Sequence, residues 1–184
     1  MKRALAAAAL MLVGTGAFAA DTVKMSVRHM CCGGCKSSAA APIKALPWVA
    51  DVAIAETTIT VTAKEGMKPE LVSLMQAGLK GGFPAREINT GGAVTLTMAH
   101  LCCPSCVNDM KAKIAEIRSM VLDKDSVTID AEAKTVTLKP QAGKVLNVAA
   151  LLRQVENVTG FSASKCILAE GSSAALTSAK RAAK

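Results

Sequence analysis

Apolar and polar positions alternate over Val23–Val27 and again over Val94–Met98, the period-2 pattern of a half-buried strand. A stretch with helical spacing follows each strand after a short loop. In the second, Met110, Ile114, Ile117 and Val121 recur at intervals of 4, 3 and 4 and make one apolar face. In the first, Ala39, Ile43 and Leu46 keep that rhythm, and Pro42 is expected to shorten or kink the helix. Two strand candidates come next in each half: Val49–Ala55 with Ile59–Ala63, and Ser126–Asp130 with Thr135–Lys139. A second helix is predicted over Pro69–Leu79 and over Val145–Val158. Each half then closes with a glycine–phenylalanine turn and a short strand, Gly82-Phe83-Pro84-Ala85 and Gly160-Phe161-Ser162-Ala163.

The same pattern therefore runs twice. The offset between copies is 71 residues at His29 and His100 and 78 at Gly82 and Gly160, a net insertion of 7 between the first and second helices of the second copy. Strand, helix, strand, strand, helix, strand is the split βαβ plan. The expected fold is α+β: two tandem ferredoxin-like βαββαβ domains, each a four-stranded antiparallel sheet with two helices on one face. The expected boundaries are 20–90 and 91–169, with Asn89-Thr90-Gly91-Gly92 as linker and 170–184 as a basic, disordered tail.

Cysteine placement turns this outline towards chemistry. Six of the seven cysteines lie in two copies of H-x-C-C-x-x-C, His29-Met30-Cys31-Cys32-Gly33-Gly34-Cys35 and His100-Leu101-Cys102-Cys103-Pro104-Ser105-Cys106. Disulfide frameworks usually spread cysteines along a chain, whereas cysteines crowded into one loop bind a soft metal or exchange electrons. Both clusters fall between the first strand and first helix of their repeat. There the helix dipole and unpaired N–H groups favour thiolate, the form that is both ligand and nucleophile. Cys166 lies outside the clusters and reads as a core residue of the last strand.

The first residues bear on compartment. Lys2 and Arg3 precede an apolar run from Ala4 to Val13, and Ala17-Phe18-Ala19 makes a cleavage site, so 1–19 reads as a secretory signal peptide. The run is too short to span a bilayer, so no stable membrane insertion is expected, and a periplasmic location is. Free thiols in an oxidising compartment tend to pair, so these clusters must be metal-loaded, kept reduced by a partner, or oxidised at rest. The formal charge of +8 raises the question of nucleic acid. Export argues against that partner, and aromatic residues at 2% are too few for base stacking. No nucleophile–base–acid set or phosphate loop is present, so no enzymatic activity is expected.

The element order, with a cysteine pair in the first strand–helix loop, resembles the heavy-metal-associated domain family, which includes copper chaperones and the periplasmic mercury-binding protein of mercury resistance. The family motif G-M-x-C-x-x-C maps onto both clusters, and its Gly-Phe turn onto Gly82-Phe83 and Gly160-Phe161. The resemblance implies two heavy-metal-associated domains with Cys32, Cys35, Cys103 and Cys106 as metal ligands. It also implies a soft cargo ion, Cu(I) or Hg(II) foremost and Zn(II) as a further candidate, and a membrane metal transporter as partner. The chain departs from the motif at His29 and His100, which replace a glycine, and at Cys31 and Cys102, which occupy the variable position. Leu101 also replaces the methionine. Cys31, Cys102, His29 and His100 are therefore candidate additional ligands. Two sulfurs suit near-linear Cu(I) or Hg(II), three suit a trigonal ion, and three with an imidazole suit tetrahedral Zn(II). The function expected is capture and transfer of a soft ion. The alternatives are a periplasmic thiol–disulfide oxidoreductase, against which the strand order speaks, and a structural zinc protein.

Overall fold

The computed structural model describes residues 21–101, 103–117 and 122–169. The expected signal peptide, the tail at 170–184, Cys102 and Val121 lie outside the described residues. The first half contains β1 (Thr22–Ser26), α1 (Gly33–Lys44), β2 (Val49–Ala55), β3 (Thr58–Ala63), α2 (Leu71–Lys80) and β4 (Glu87–Thr90). The second contains β5 (Val94–Met98), α3 (Pro104–Ile117), β6 (Leu122–Asp130), β7 (Thr135–Pro140), β8 (Leu146–Asn147), α4 (Val148–Thr159) and β9 (Ala163–Leu168). The architecture is α+β, with two antiparallel sheets and four helices, as a ferredoxin-like plan requires.

The first sheet runs β2-β3-β1-β4-β8, its last strand coming from the second half, and the second runs β6-β7-β5-β9, so the first strand of each half is an inner strand. β1 pairs with β3 through Met25 opposite Ile59 and with β4 through Met25 opposite Ile88. All three side chains are buried, as are Val94 and Leu96 of the equivalent β5. Helices cover these faces. Ala39 and Ile43 of α1 and Leu71 and Leu74 of α2 close the first core; Met110 and Ile114 of α3 and Leu151 and Val155 of α4 close the second. Burying a side chain of this size stabilises by about 1.5–3 kcal/mol, so the apolar spacing read from sequence is what orders the helices.

Glycine is required at a few defined points. Gly82 and Gly160, which open the two Gly-Phe turns, have φ of 83° and 72°, left-handed values that cost other residues energy. At Gly78 in α2 an added Cβ would lie 2.9 Å from the Phe83 carbonyl oxygen and 3.2 Å from Met25 Cε, so the helix lies hard against turn and sheet.

Several expected boundaries change. Pro42 lies inside α1, and the helix ends two residues later, at Lys44, against 14 residues for α3. Proline leaves the Ser38 carbonyl without its helical donor. That oxygen faces α2, 2.8 Å from where a Gly81 Cβ would stand. The helix expected from Val145 begins at Val148, because Asn147 caps it by accepting from Ala150 N–H at 3.1 Å. Asn89 and Thr90, expected as linker, are strand. They pair with Asn147 and Leu146 of β8, a strand the periodicity did not reveal. In the related position Glu70, the N-cap of α2, bridges to Ile167 of β9 and accepts from Cys166 N–H at 3.0 Å. Each last strand is thus met by the residues that start the other half's second helix.

Candidate metal centre

Both cysteine clusters sit where a central strand hands over to its helix. Val27 and Arg86 anchor the first loop through Val27 N–H to Thr57 O at 2.9 Å and Arg86 N–H to Ser26 O at 2.9 Å. Cys32 is the N-cap of α1, with extended φ and ψ of −151° and 172°, and its Sγ accepts from Cys35 N–H at 3.5 Å. The second cluster repeats the arrangement: Cys103 Sγ accepts from Cys106 N–H at 3.5 Å. Sulfur here takes the position of a serine or aspartate cap oxygen, so the fold places a C-x-x-C pair on unsatisfied helical donors.

The sulfurs converge. Cys32 and Cys35 Sγ are 3.4 Å apart, and Cys103 and Cys106 Sγ are 3.2 Å apart. Cys31 Sγ is 3.5 Å from Cys35 Sγ, and the sulfurs of Cys31, Cys32 and Cys35 all lie within 4.8 Å of one another. None of the described cysteines is in a disulfide. Cys31 and Cys32 are exposed and Cys35 is half-buried against the core, so the three form a shallow group open to solvent. The backbone N–H of Cys35, with the neighbouring thiols, holds the Cys32 pKa below its ordinary value. Cys31 is pushed the other way, by its hydrogen bonds to the Cys35 and Cys32 sulfurs and by their charge. The helix N-terminus thus favours the thiolate form of Cys32 over that of Cys31.

The two histidines are placed by phenylalanines of the Gly-Phe turns. The His29 ring is tilted against Phe83 at a centroid distance of 5.9 Å and 53° between planes. His100 is stacked on Phe161 at 6.1 Å and 10°. His100 Nδ1 comes within 3.9 Å of Cys106 Sγ, whereas the compact ligand group around Cys35 consists of sulfurs alone. The repeated spacing of histidine and Gly-Phe turn was the sequence signal for this pairing, but only the fold shows the two meet. Met30 is half-buried against the core, and Leu101, whose side chain carries no donor atom, is buried.

Cys166 is buried in β9, opposite Leu96, away from the cluster in sequence and sheet register. Burial, with the Glu70 charge nearby, pushes its thiol up to about 12.

No protein-family model matches the chain, and no curated protein matches it. Several chains of solved structures are similar to it, among them two from Bacillus subtilis. One is the water-soluble region of the P-type ATPase CopA from Bacillus subtilis, 18% identical over 80% of this chain and 90% of that one, with a TM-score of 0.34. The other is the N-terminal soluble domains of Bacillus subtilis CopA, 18% identical over 83% of this chain and 95% of that one, with a TM-score of 0.33.

Proposed function

We propose that this protein is an exported, non-enzymatic carrier of a soft metal ion. It consists of two tandem ferredoxin-like domains, each binding one Cu(I) or Hg(II) through its C-x-x-C pair, Cys32 with Cys35 and Cys103 with Cys106. The observation that carries this reading is the repeated sulfur pair, 3.4 Å and 3.2 Å apart, each set on the first turn of a helix. Thiolates so placed are stabilised as anions and select soft ions over Mg or Ca. The exposure of Cys31 and Cys32 supports transfer, because an entering thiolate from an acceptor can reach the ion while the half-buried Cys35 still holds it. A periplasmic carrier of this kind would pass its ion by stepwise thiolate exchange to a membrane transporter.

The test is stoichiometric. Purified without oxygen and titrated with Hg(II) or Cu(I), the full chain takes up two tightly held equivalents. Cys32→Ser/Cys35→Ser takes up one, and the further pair Cys103→Ser/Cys106→Ser removes the second. Two equivalents retained by the first double variant would overturn the ligand assignment. Absence of uptake by the reduced wild-type chain would leave the thiol–disulfide reading in its place.

A further inference from the structure

The first loop carries a third sulfur whose position bears on which ions it takes. For metal–sulfur bonds of about 2.3 Å, a linear two-sulfur site separates its sulfurs by about 4.6 Å and a planar three-sulfur site by about 4.0 Å. An ion raised above the sulfur plane, with bond angles near 95°, brings them to about 3.4 Å at the same bond length. Cys35 Sγ stands 3.5 Å from Cys31 Sγ and 3.4 Å from Cys32 Sγ, and the third edge is within 4.8 Å. These two edges lie nearest the pyramidal spacing, whereas a linear ion would have to spread the Cys32–Cys35 pair.

The surroundings match it too. A pyramidal ion needs three donors on one side and nothing on the other, where its lone pair points. All three sulfurs come from the helix start, and Cys31 and Cys32 face solvent. Gly33 puts no side chain over them, and a Cβ there would meet nothing within 4 Å. A Cβ at Gly34 would meet only Cys32 Sγ, at 3.8 Å. His29, turned against Phe83, lies outside the compact sulfur group. Among the described residues no further His, Cys, Asp or Glu joins the three sulfurs in this compact group.

We propose that Cys31, Cys32 and Cys35 form a three-thiolate site for trivalent soft ions that carry a lone pair, the class of As(III) and Sb(III). The inference rests on the soft-ion reading of the C-x-x-C pair and extends it to a cargo that takes a third thiolate. With arsenous acid the exchange is a condensation without redox change. Three As–O bonds break and three As–S bonds form. The three thiol protons leave with the three hydroxides as three waters, and arsenic stays trivalent.

The experiment uses the full chain carrying Cys102→Ser/Cys103→Ser/Cys106→Ser, so that only the first loop is read, reduced and free of oxygen. Arsenite and Hg(II) are titrated separately, and binding is followed by native mass spectrometry and by the number of thiols left open to alkylation. The expected result is one As(III) bound with Cys31, Cys32 and Cys35 all protected, and three sulfur neighbours by arsenic X-ray absorption. Cys31→Ser should weaken As(III) by about tenfold or more while Hg(II) still binds one equivalent. If As(III) affinity is unchanged in Cys31→Ser, or if the wild-type loop takes Hg(II) but not As(III), this inference is overturned and the soft-ion reading stands. If Hg(II) also fails to bind the wild-type loop, the soft-ion reading falls with it.

Discussion

Cys166 and Cys32 are the same chemical group driven in opposite directions by place. At a helix N-terminus in solvent, Cys32 gains from the Cys35 N–H as a thiolate and its pKa falls. Inside β9, Cys166 has apolar neighbours and the Glu70 carboxylate, and its pKa rises to about 12. The sign of the linkage follows. An unfolded chain loses the Cys166 proton near the ordinary value of 9.0, whereas the folded chain keeps it to about 12. The buried thiol's contribution is therefore complete below pH 9 and is lost as pH rises through that window, with a slope of at most about 1.4 kcal/mol per pH unit. Urea unfolding of the reduced chain should show a steeper loss of stability above pH 9 than the Cys166→Ala variant does, although that variant is less stable at pH 7. Equal slopes would place the Cys166 thiol outside the core.

At the scale of elements, the helix starts differ in what they hold. Asn147 accepts from one helical N–H, that of Ala150, while Glu70 accepts from Val72 N–H at 2.9 Å, Ser73 N–H at 2.6 Å and Cys166 N–H at 3.0 Å. Losing a cap costs about 1 kcal/mol, and an N–H left unsatisfied in a partly buried strand adds about 1–3 kcal/mol. Glu70→Ala should therefore destabilise by about 2–3 kcal/mol and Asn147→Ala by about 1 kcal/mol in chemical denaturation. Comparable losses would mean that the contact from Glu70 to β9 contributes little. Trp48 belongs to the same region: its indole N–H donates to Ser73 Oγ at 3.1 Å. That contact ties the end of α1 to the start of α2, a role for which the sequence offered no reading.

Over the whole molecule, each half sets two helices against its strands, but β8 of the second half extends the first sheet beside β4, Glu70 reaches β9, and the buried apolar residues of both halves form one continuous cluster. Between α2 and α4 lies a groove of about 360 Å³, lined in part by Val72, Met75, Leu79, Leu152 and Glu156. A fragment of residues 20–90 should fold, because it keeps the four strands β2-β3-β1-β4 of the first sheet, but it exposes the outer edge of β4 and the apolar side of α2. Its urea midpoint is expected below that of the full chain, with a cooperative transition retained. A fragment with no cooperative transition would mean that the halves depend on each other for folding.

The sequence by itself determined the repeat, the element order and the cysteine pairs, because these rest on local signals: period-2 and period-3.6 burial, turn glycines, and cysteines four residues or fewer apart. Those signals located β1, β5 and the apolar faces of α1 and α3. They failed where structure depends on residues distant in the chain. Asn89 and Thr90 carry the composition of a linker and become strand only because β8, more than 50 residues later, supplies the partner. Val145 continues the apolar pattern of α4, but a capping Asn147 ends the helix there. At the site, adjacency in sequence listed the donors but not their geometry. Which thiol holds the charge, which histidine approaches a sulfur, and how far Cys31 stands from Cys35 are set by the path from strand into helix and by the Gly-Phe turn folded back over it. Only the tertiary structure could decide these, because the groups that decide them are neighbours in space and not in sequence.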